Sequence, residues 1–326
     1  MPTISVIIPN YNRAALIGET LDNVLAQSRP PDEVIVVDDG STDDSAAVVE
    51  RFGKRVTLIR QENRGPGPAR NRGLAAARSE LIQFMDSDDL WSLNKLEAQE
   101  RALATSDADF AYSPWLQARL EDGRALHVDP VLQQGPLPAR RSPAAWYLRG
   151  WVIVFQACLF RRALLDAVGP YREDLMPTED SELLWRILKS GARPVHVPDA
   201  LLLYRLHGGS QISLGGMDGG KREADWLRYL AAVTDQLDGA PDVTAADLRQ
   251  WRRSATAAER SAQGGGDRSP GERAGLLWNK LADRVTRKLA GSGWPVPYQA
   301  ARLTAAQADR VQEIGYAPLR VPRGKS

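Results

Sequence analysis

The sequence predicts an α/β fold, a doubly wound and mostly parallel sheet followed by a helical C-terminal region. Three observations lead there. Strand and helix patterns alternate through the first hundred residues. The strand segments are continuous apolar runs, as expected of strands covered on both faces. Each of the first four runs ends in a polar cluster, and ligands of such sheets bind beyond the carboxyl ends of the strands.

Taken in order, Ile4 to Pro9 is a β-branched run that leaves the sheet at Pro9-Asn10. Ala14 to Ser28 carries Leu16, Ile17, Leu21, Val24 and Leu25 at helical spacing. Glu33 to Val37 is the second strand, closed by Asp38-Asp39-Gly40-Ser41-Thr42-Asp43, and a short helix runs to Phe52. Val56 to Arg60 is the third strand, followed by the Gly/Pro loop Asn63 to Pro68 and a helix over Ala69 to Ala77. Leu81 to Met85 is the fourth strand, and Leu93 to Ala104 the helix after it.

Beyond Asp109, Phe110 to Leu120 and Ile153 to Phe160 read as strands, with a short helix near Pro143 to Leu148. Trp115, Trp146 and Trp151 fall in this stretch and are read as core. Glu179 to Ser190 is an amphipathic helix, and Val195 to Val197 and Leu201 to Leu206 are short strands. Gly208-Gly209 and the glycines between Gly215 and Gly220 read as a lid or a linker. The sheet domain is placed at residues 1–213 and the helical region at 214–326, broken near Gly264-Gly265-Gly266.

Composition excludes some classes. A net charge of +1 gives no global bias toward nucleic acid, so no such partner is expected. One cysteine, Cys158, excludes an internal disulfide and a cysteine metal cage. A strand begins within four residues of Met1, and the longest apolar stretch, Trp151 to Phe160, is too short to span a bilayer. A cytoplasmic location is therefore expected. Residues 264–326 hold 11 basic and 5 acidic residues, a local charge of +6. There Leu276, Leu277, Leu281, Val285 and Leu289 form a stripe opposite Lys280, Arg284, Arg287 and Lys288. Such a helix can lie on an anionic membrane. A packed helix with a solvated basic face is the preferred reading.

The chemistry concentrates in Gln83 to Trp91, where an apolar run meets Asp86, Asp88 and Asp89. Carboxylates this close repel unless a cation or donor offsets them. Asp86 and Asp88 supply hard oxygens suited to Mg²⁺ or Mn²⁺ carrying a diphosphate. The competing reading is a capping loop in which Asp89 or Ser92 starts the next helix.

As an ordered set, the clusters resemble family 2 glycosyltransferases of the GT-A fold. The motifs are Ser5 to Asn12, Val36 to Asp43, Asn63-Arg64-Gly65 through Ala69-Arg70-Asn71, Asp86-Ser87-Asp88-Asp89, and Glu179-Asp180, over residues 3 to about 210. The resemblance implies an inverting enzyme that uses a nucleotide sugar, UDP- or dTDP-linked, and a Mn²⁺ or Mg²⁺ ion. Pro9 and Tyr11 would line the nucleobase pocket, and Asp39 would accept the imide N–H of uracil or thymine. The competing reading of Asp38-Asp39 is a turn with a cap at Ser41 or Thr42. Asn63 and Gly65 would shape the loop around Arg70, which would contact the nucleotide unless it is a solvated helix-face arginine. Asp86 would meet the ribose and Asp88 the metal. Asp180, next to Glu179, would take the proton of an acceptor hydroxyl, with a plain helical first turn as the competing reading. His207 would reach the metal or the diphosphate. The acceptor would be a carbohydrate or a lipid-linked saccharide, in glycan or polysaccharide biosynthesis. Processive synthases of the family carry Gln-x-x-Arg-Trp, which is absent here, so transfer of one sugar is implied.

Competing classes fare worse. A dinucleotide-binding dehydrogenase would need Gly-x-Gly-x-x-Gly where Pro9-Asn10-Tyr11-Asn12 stands. A nucleotidyltransferase usually opens with a glycine-rich basic loop. Retention of Asp39, Asp88 and Asp180 together argues against a non-catalytic nucleotide-sugar-binding module.

Overall fold

Every residue of the first strand, β1 (Ile4–Asn10), is buried, so it lies inside a sheet covered on both faces. The protein is described by a computed structural model over residues 1–121, 124–127, 135–151, 153–207, 219–263 and 303–314. β1 pairs in parallel with β2 (Glu33–Asp39) and, on its other side, with β4 (Leu81–Phe84). β3 (Thr57–Gln61) closes one edge beside β2 and is half-exposed there.

The other half of this seven-stranded sheet is assembled from β6 (Phe110–Tyr112), β9 (Cys158–Arg161) and β10 (Pro194–His196). The order is β10-β6-β9-β4-β1-β2-β3, and β9 runs antiparallel to both its neighbours. A second sheet, ordered β5-β11-β7-β8, contains β5 (Leu90–Trp91), β7 (Trp115–Glu121), β8 (Arg124–His127) and β11 (Leu202–Leu206).

Alternate side chains of β1 feed two cores. Ile4, Val6 and Ile8 pack with Ile17 and Leu21 of α1 (Ile17–Leu25), Val49 of α2 (Ser45–Glu50), and Leu96 and Leu103 of α4 (Lys95–Ala104). Ile7 faces the other way, into a core shared with α3 (Pro66–Ala76), α5 (Pro143–Tyr147), α6 (Arg162–Val168) and α7 (Glu179–Lys189). Gly73 lets α3 sit directly on the sheet, because a Cβ there would fall 2.3 Å from Cγ2 of Ile7. Tyr229, Leu230 and Val233 of α8 (Gly219–Asp235) and Trp251 of α9 (Ala245–Gln263) belong to the same core as α7. α10 (Ala305–Glu313) inserts Val311 beside Leu116 and Leu203 of the second sheet.

The doubly wound sheet is as expected, and Trp115, Trp146, Trp151 and Cys158 are core residues. Three expectations are corrected. Phe110 to Leu120 is two strands in two sheets, because Pro114 has no N–H for the ladder and the chain switches there. Ile153 to Phe160 is strand only from Cys158, since Phe155–Ala157 is a 3₁₀ turn that points Gln156 at the acidic loop. Neither Asp89 nor Ser92 starts a helix: β5 intervenes and α4 begins after Asn94. The stripe from Leu276 to Leu289 and the segment 208–218 lie outside the described residues. Among the described residues, no helix is long and apolar enough to cross a membrane.

Candidate active site

The polar clusters after β1 to β4 all sit along one edge of the sheet, because those four strands are parallel. After β2, Asp38 is a turn residue: it accepts from Nδ2 of Asn10 at 2.9 Å and from the Ser41 hydroxyl at 2.5 Å. Asp39 is different. Its Oδ1 accepts from Nε2 of Gln61 at 2.7 Å and from the N–H of Arg64 at 2.9 Å, and its Oδ2 from the N–H of Gly65 at 2.7 Å. A carboxylate has room for about four such bonds, so Asp39 holds the loop and keeps one direction for a ligand. Gly40 has φ +74°, and a Cβ on it would lie 2.8 Å from the backbone N of Asn63, so only glycine lets that loop approach. Pro9 is buried opposite Val37, whereas Tyr11 at the strand end is 45% exposed and available to a flat ligand.

Oxygens of Asp86, Asp88 and Asp89, one from each, lie within 4.8 Å of one another. Two nitrogens meet Oδ2 of Asp88, Nε of the Arg13 guanidinium at 2.9 Å and Nε2 of the His207 imidazole at 3.0 Å. Burial pushes its carboxyl up, but the hydrogen bond from His207 and the charge of Arg13 outweigh this and hold it below the ordinary carboxylate range. Asp86 is pushed up by burial, against the pull of Arg70, and by the charges of Asp88 and Asp180. Its second oxygen is held by Gln156. Asp89 is a scaffold: it is fully buried, accepts from the N–H of Arg205 at 3.0 Å, and is pushed well up by burial and by Asp88 and Asp86. Its Oδ2 has no hydrogen-bond partner among the described residues. The donor set, two hard oxygens at Asp86 and Asp88 beside the His207 imidazole, fits Mg²⁺ or Mn²⁺.

Arg70 joins this loop to the first turn of α7. It is buried, which removes the reading as a solvated helix-face residue. Its Nη2 meets Asp86 at 2.8 Å, and its Nη1 meets Glu179 at 2.9 Å and Asp180 at 3.5 Å. The guanidinium also lies over the ring of Tyr171, 5.5 Å from its centroid. The two acids of the pair differ. The side chain of Glu179 is 5% exposed and that of Asp180 27%, so Asp180 is the one open to solvent. Burial, followed by the charge of Asp180, pushes Glu179 up to about 7 despite Arg70.

The structure therefore brings together Asp86, Asp88, Arg70, Glu179, Asp180 and His207. Asp39, Asn63 and Gly65 stand at the neighbouring strand ends with Pro9 and Tyr11. Sequence reasoning missed Arg13, Gln61, Gln156 and Arg205. Arg13 directly follows one recognised cluster and Gln61 lies between the third strand and the next cluster, so their position was a usable signal. Gln156 showed itself as the one polar break in an apolar run. Arg205, itself buried, meets Asp89, Thr20 and the exposed Glu19; like Gln156 it broke an apolar run, but nothing local pointed to those partners.

Comparison with known proteins places the fold and the family. The family description "Glycosyl transferase family 2" matches residues 5–169, about half of the chain. An uncharacterized glycosyltransferase of Nostoc sp. is 31% identical over 221 residues, 63% of this chain and 65% of that protein. EpsJ of Bacillus subtilis, also an uncharacterized glycosyltransferase, is 30% identical over 218 residues, 63% of this chain and 61% of its own length. The chain thus spans a little under two thirds of these relatives. The fold is shared with S. aureus TarS 1–349 at a TM-score of 0.61 and 21% identity, covering 87% of this chain and 82% of that one. It is shared also with the mannosyltransferase PcManGT of Pyrobaculum calidifontis, in complex with GDP-Man and Mn²⁺, at a TM-score of 0.57 and 23% identity over 89% and 88%. The GT-A-type fold is therefore borne out, and with the family description spanning every strand-end cluster from β1 to β4, the chain belongs to glycosyltransferase family 2.

Proposed function

We propose that this protein transfers one sugar, with inversion, from a UDP- or dTDP-sugar to a hydroxyl of a carbohydrate or lipid-linked acceptor, in glycan or polysaccharide synthesis. The observation that carries the reading is the Arg70 bridge, which puts the reachable carboxylate of Asp180 beside the acidic loop. The chemistry belongs to residues 1–213. Asp39, with Tyr11 and Pro9, receives the pyrimidine, and the Asn63–Gly65 loop that Asp39 holds closes around the nucleoside. Asp88 and His207, with Asp86 alongside, are the residues that would hold Mn²⁺ or Mg²⁺, which when bound supplies positive charge against the diphosphate leaving group. Asp180 takes the acceptor proton as the acceptor oxygen bonds to the anomeric carbon. The bond to the diphosphate oxygen breaks with its electron pair going to that oxygen, from the opposite face, which inverts the centre. Arg70, 3.5 Å from Asp180, helps to orient that carboxylate. Arg13, on Asp88, is placed near the same anionic group.

The test is nucleotide release from a panel of UDP-, dTDP-, CDP- and GDP-sugars, with Mn²⁺ and with EDTA. Metal-dependent release of UDP or TDP in the presence of acceptor supports the reading. Tight binding with no release under any condition would leave a nucleotide-sugar-binding module. A cytoplasmic site of action is part of the proposal, with the basic C-terminal stripe read as a packed helix and peripheral membrane contact as the alternative. Salt-sensitive sedimentation of the full chain with anionic liposomes tests that contact, and its absence favours the packed-helix reading.

A further inference from the structure

We propose that Asp225, on α8, is a positioning residue for the turn that carries Glu179 and Asp180; this rests on the reading of Asp180 as the base. Thr178 is the N-cap residue of α7, yet its side chain makes no capping bond to its own helix. Its hydroxyl donates instead to Oδ2 of Asp225 at 2.6 Å, and its N–H reaches the same oxygen at 3.1 Å. The N–H of Met176 donates to Oδ1 at 2.5 Å. Asp225 itself is fully buried, and Arg228 approaches Oδ1 only at 3.5 Å. Burying a carboxylate is costly unless donors surround it, and here the three donors at 3.1 Å or less, among the described residues, come from the segment leading into the catalytic pair.

The opposite side of that segment is also fixed. A Cβ on Gly67 of α3 would lie 3.3 Å from the carbonyl of Arg172 and 3.7 Å from Cγ of Glu179. The turn is thus held between α3, which also carries Arg70, and α8. An apolar residue at 225 could fill the volume, but it could not hold two backbone N–H groups and a hydroxyl in one orientation. The helices after the sheet domain therefore have a stated job in the reaction. They set the direction of Asp180 toward the acceptor, while the nucleotide is bound on the far strands.

The experiment compares Asp225→Asn, Thr178→Val, Thr178→Ser and Asp180→Asn with the wild type, all as full-length protein. Turnover with saturating donor, acceptor KM, donor affinity by calorimetry and Tm are measured together. Asp225→Asn is expected to lose ~10–100-fold in turnover, the cost of a misplacement of about 1 Å, with donor affinity within about 3-fold. Thr178→Val should lose part of this and Thr178→Ser, which keeps the hydroxyl, should restore it. If Asp225→Asn does not fold, the Thr178 pair decides by the same criterion. Turnover kept in Asp225→Asn and in Thr178→Val but lost in Asp180→Asn would overturn the proposal alone. Parallel loss of turnover and donor affinity would overturn it too, since that is a structural effect. Normal turnover in Asp180→Asn would remove the base reading, and this proposal with it.

Discussion

Glu179 and Asp180 are adjacent, and burial alone gives them different work. Asp180→Asn keeps the size and most hydrogen bonding, so donor affinity is expected to stay within a few-fold while transfer falls by ~10²–10⁴. Turnover against pH with saturating donor checks this, because the acidic limb of the wild type should be missing from the residual activity. Glu179 makes a different prediction, about stability. Its folded value is about 7 against an ordinary 4.5, so the folded state favours the protonated acid. The stability this contributes is present in full below about 4.5 and is lost as pH rises through about 7. Wild type relative to Glu179→Gln should therefore lose stability between those values, which urea unfolding of both proteins at several pH values measures. A pH-independent difference would mean that Glu179 is ionised throughout, paired with Arg70. Asp88→Ala should abolish any gain in donor affinity given by Mn²⁺, because Asp88 is the acid closest to His207 and Arg13. Calorimetric titration of donor with and without Mn²⁺ decides it, and an unchanged gain would move the ion elsewhere.

Helix α3 is the element on which the site depends, since it carries Arg70 and packs on β1 through Gly73. Gly73→Ala forces a methyl into Ile7 and should cost about 1–3 kcal/mol, as overpacking does. It should also lower turnover, by moving Arg70 relative to Asp86 and Glu179. Urea unfolding and kcat on one preparation test both, and full stability would show that β1 can yield. The parallel strands β1 to β4 could be read directly from the sequence, because continuous apolar runs have few other solutions. Their polar ends could be read too, since topology puts all of them on one edge. Arg70 was harder: nothing local distinguishes a guanidinium that meets Glu179, 109 residues away, from one in solvent. Asp225 was harder still, one of three acids in its helix with nothing local to mark it as the buried one. The break of Phe110 to Leu120 at Pro114 had a visible cause, and the proline should have divided the strand.

For the whole molecule, the order of strands matters as much as their number. Sheet and C-terminal helices share one core through Tyr147, Trp185, Tyr229 and Trp251, so the described part of the chain is built to be stable together. Strand β9 has a consequence in time. It sits between β4 and β6, although it follows β6 in the chain. During synthesis, β1 to β4 can pair as soon as they emerge, but the outer edge of β4 stays open until Cys158 to Arg161 leave the ribosome. An unpaired edge of buried, apolar residues is a template for association with another chain. Nascent chains arrested with residue 150 just outside the exit tunnel should thus be protease-sensitive and bind holdase chaperones, and those arrested with residue 175 outside should not. Equal protection of both would mean that the nascent chain covers the β4 edge by some other segment.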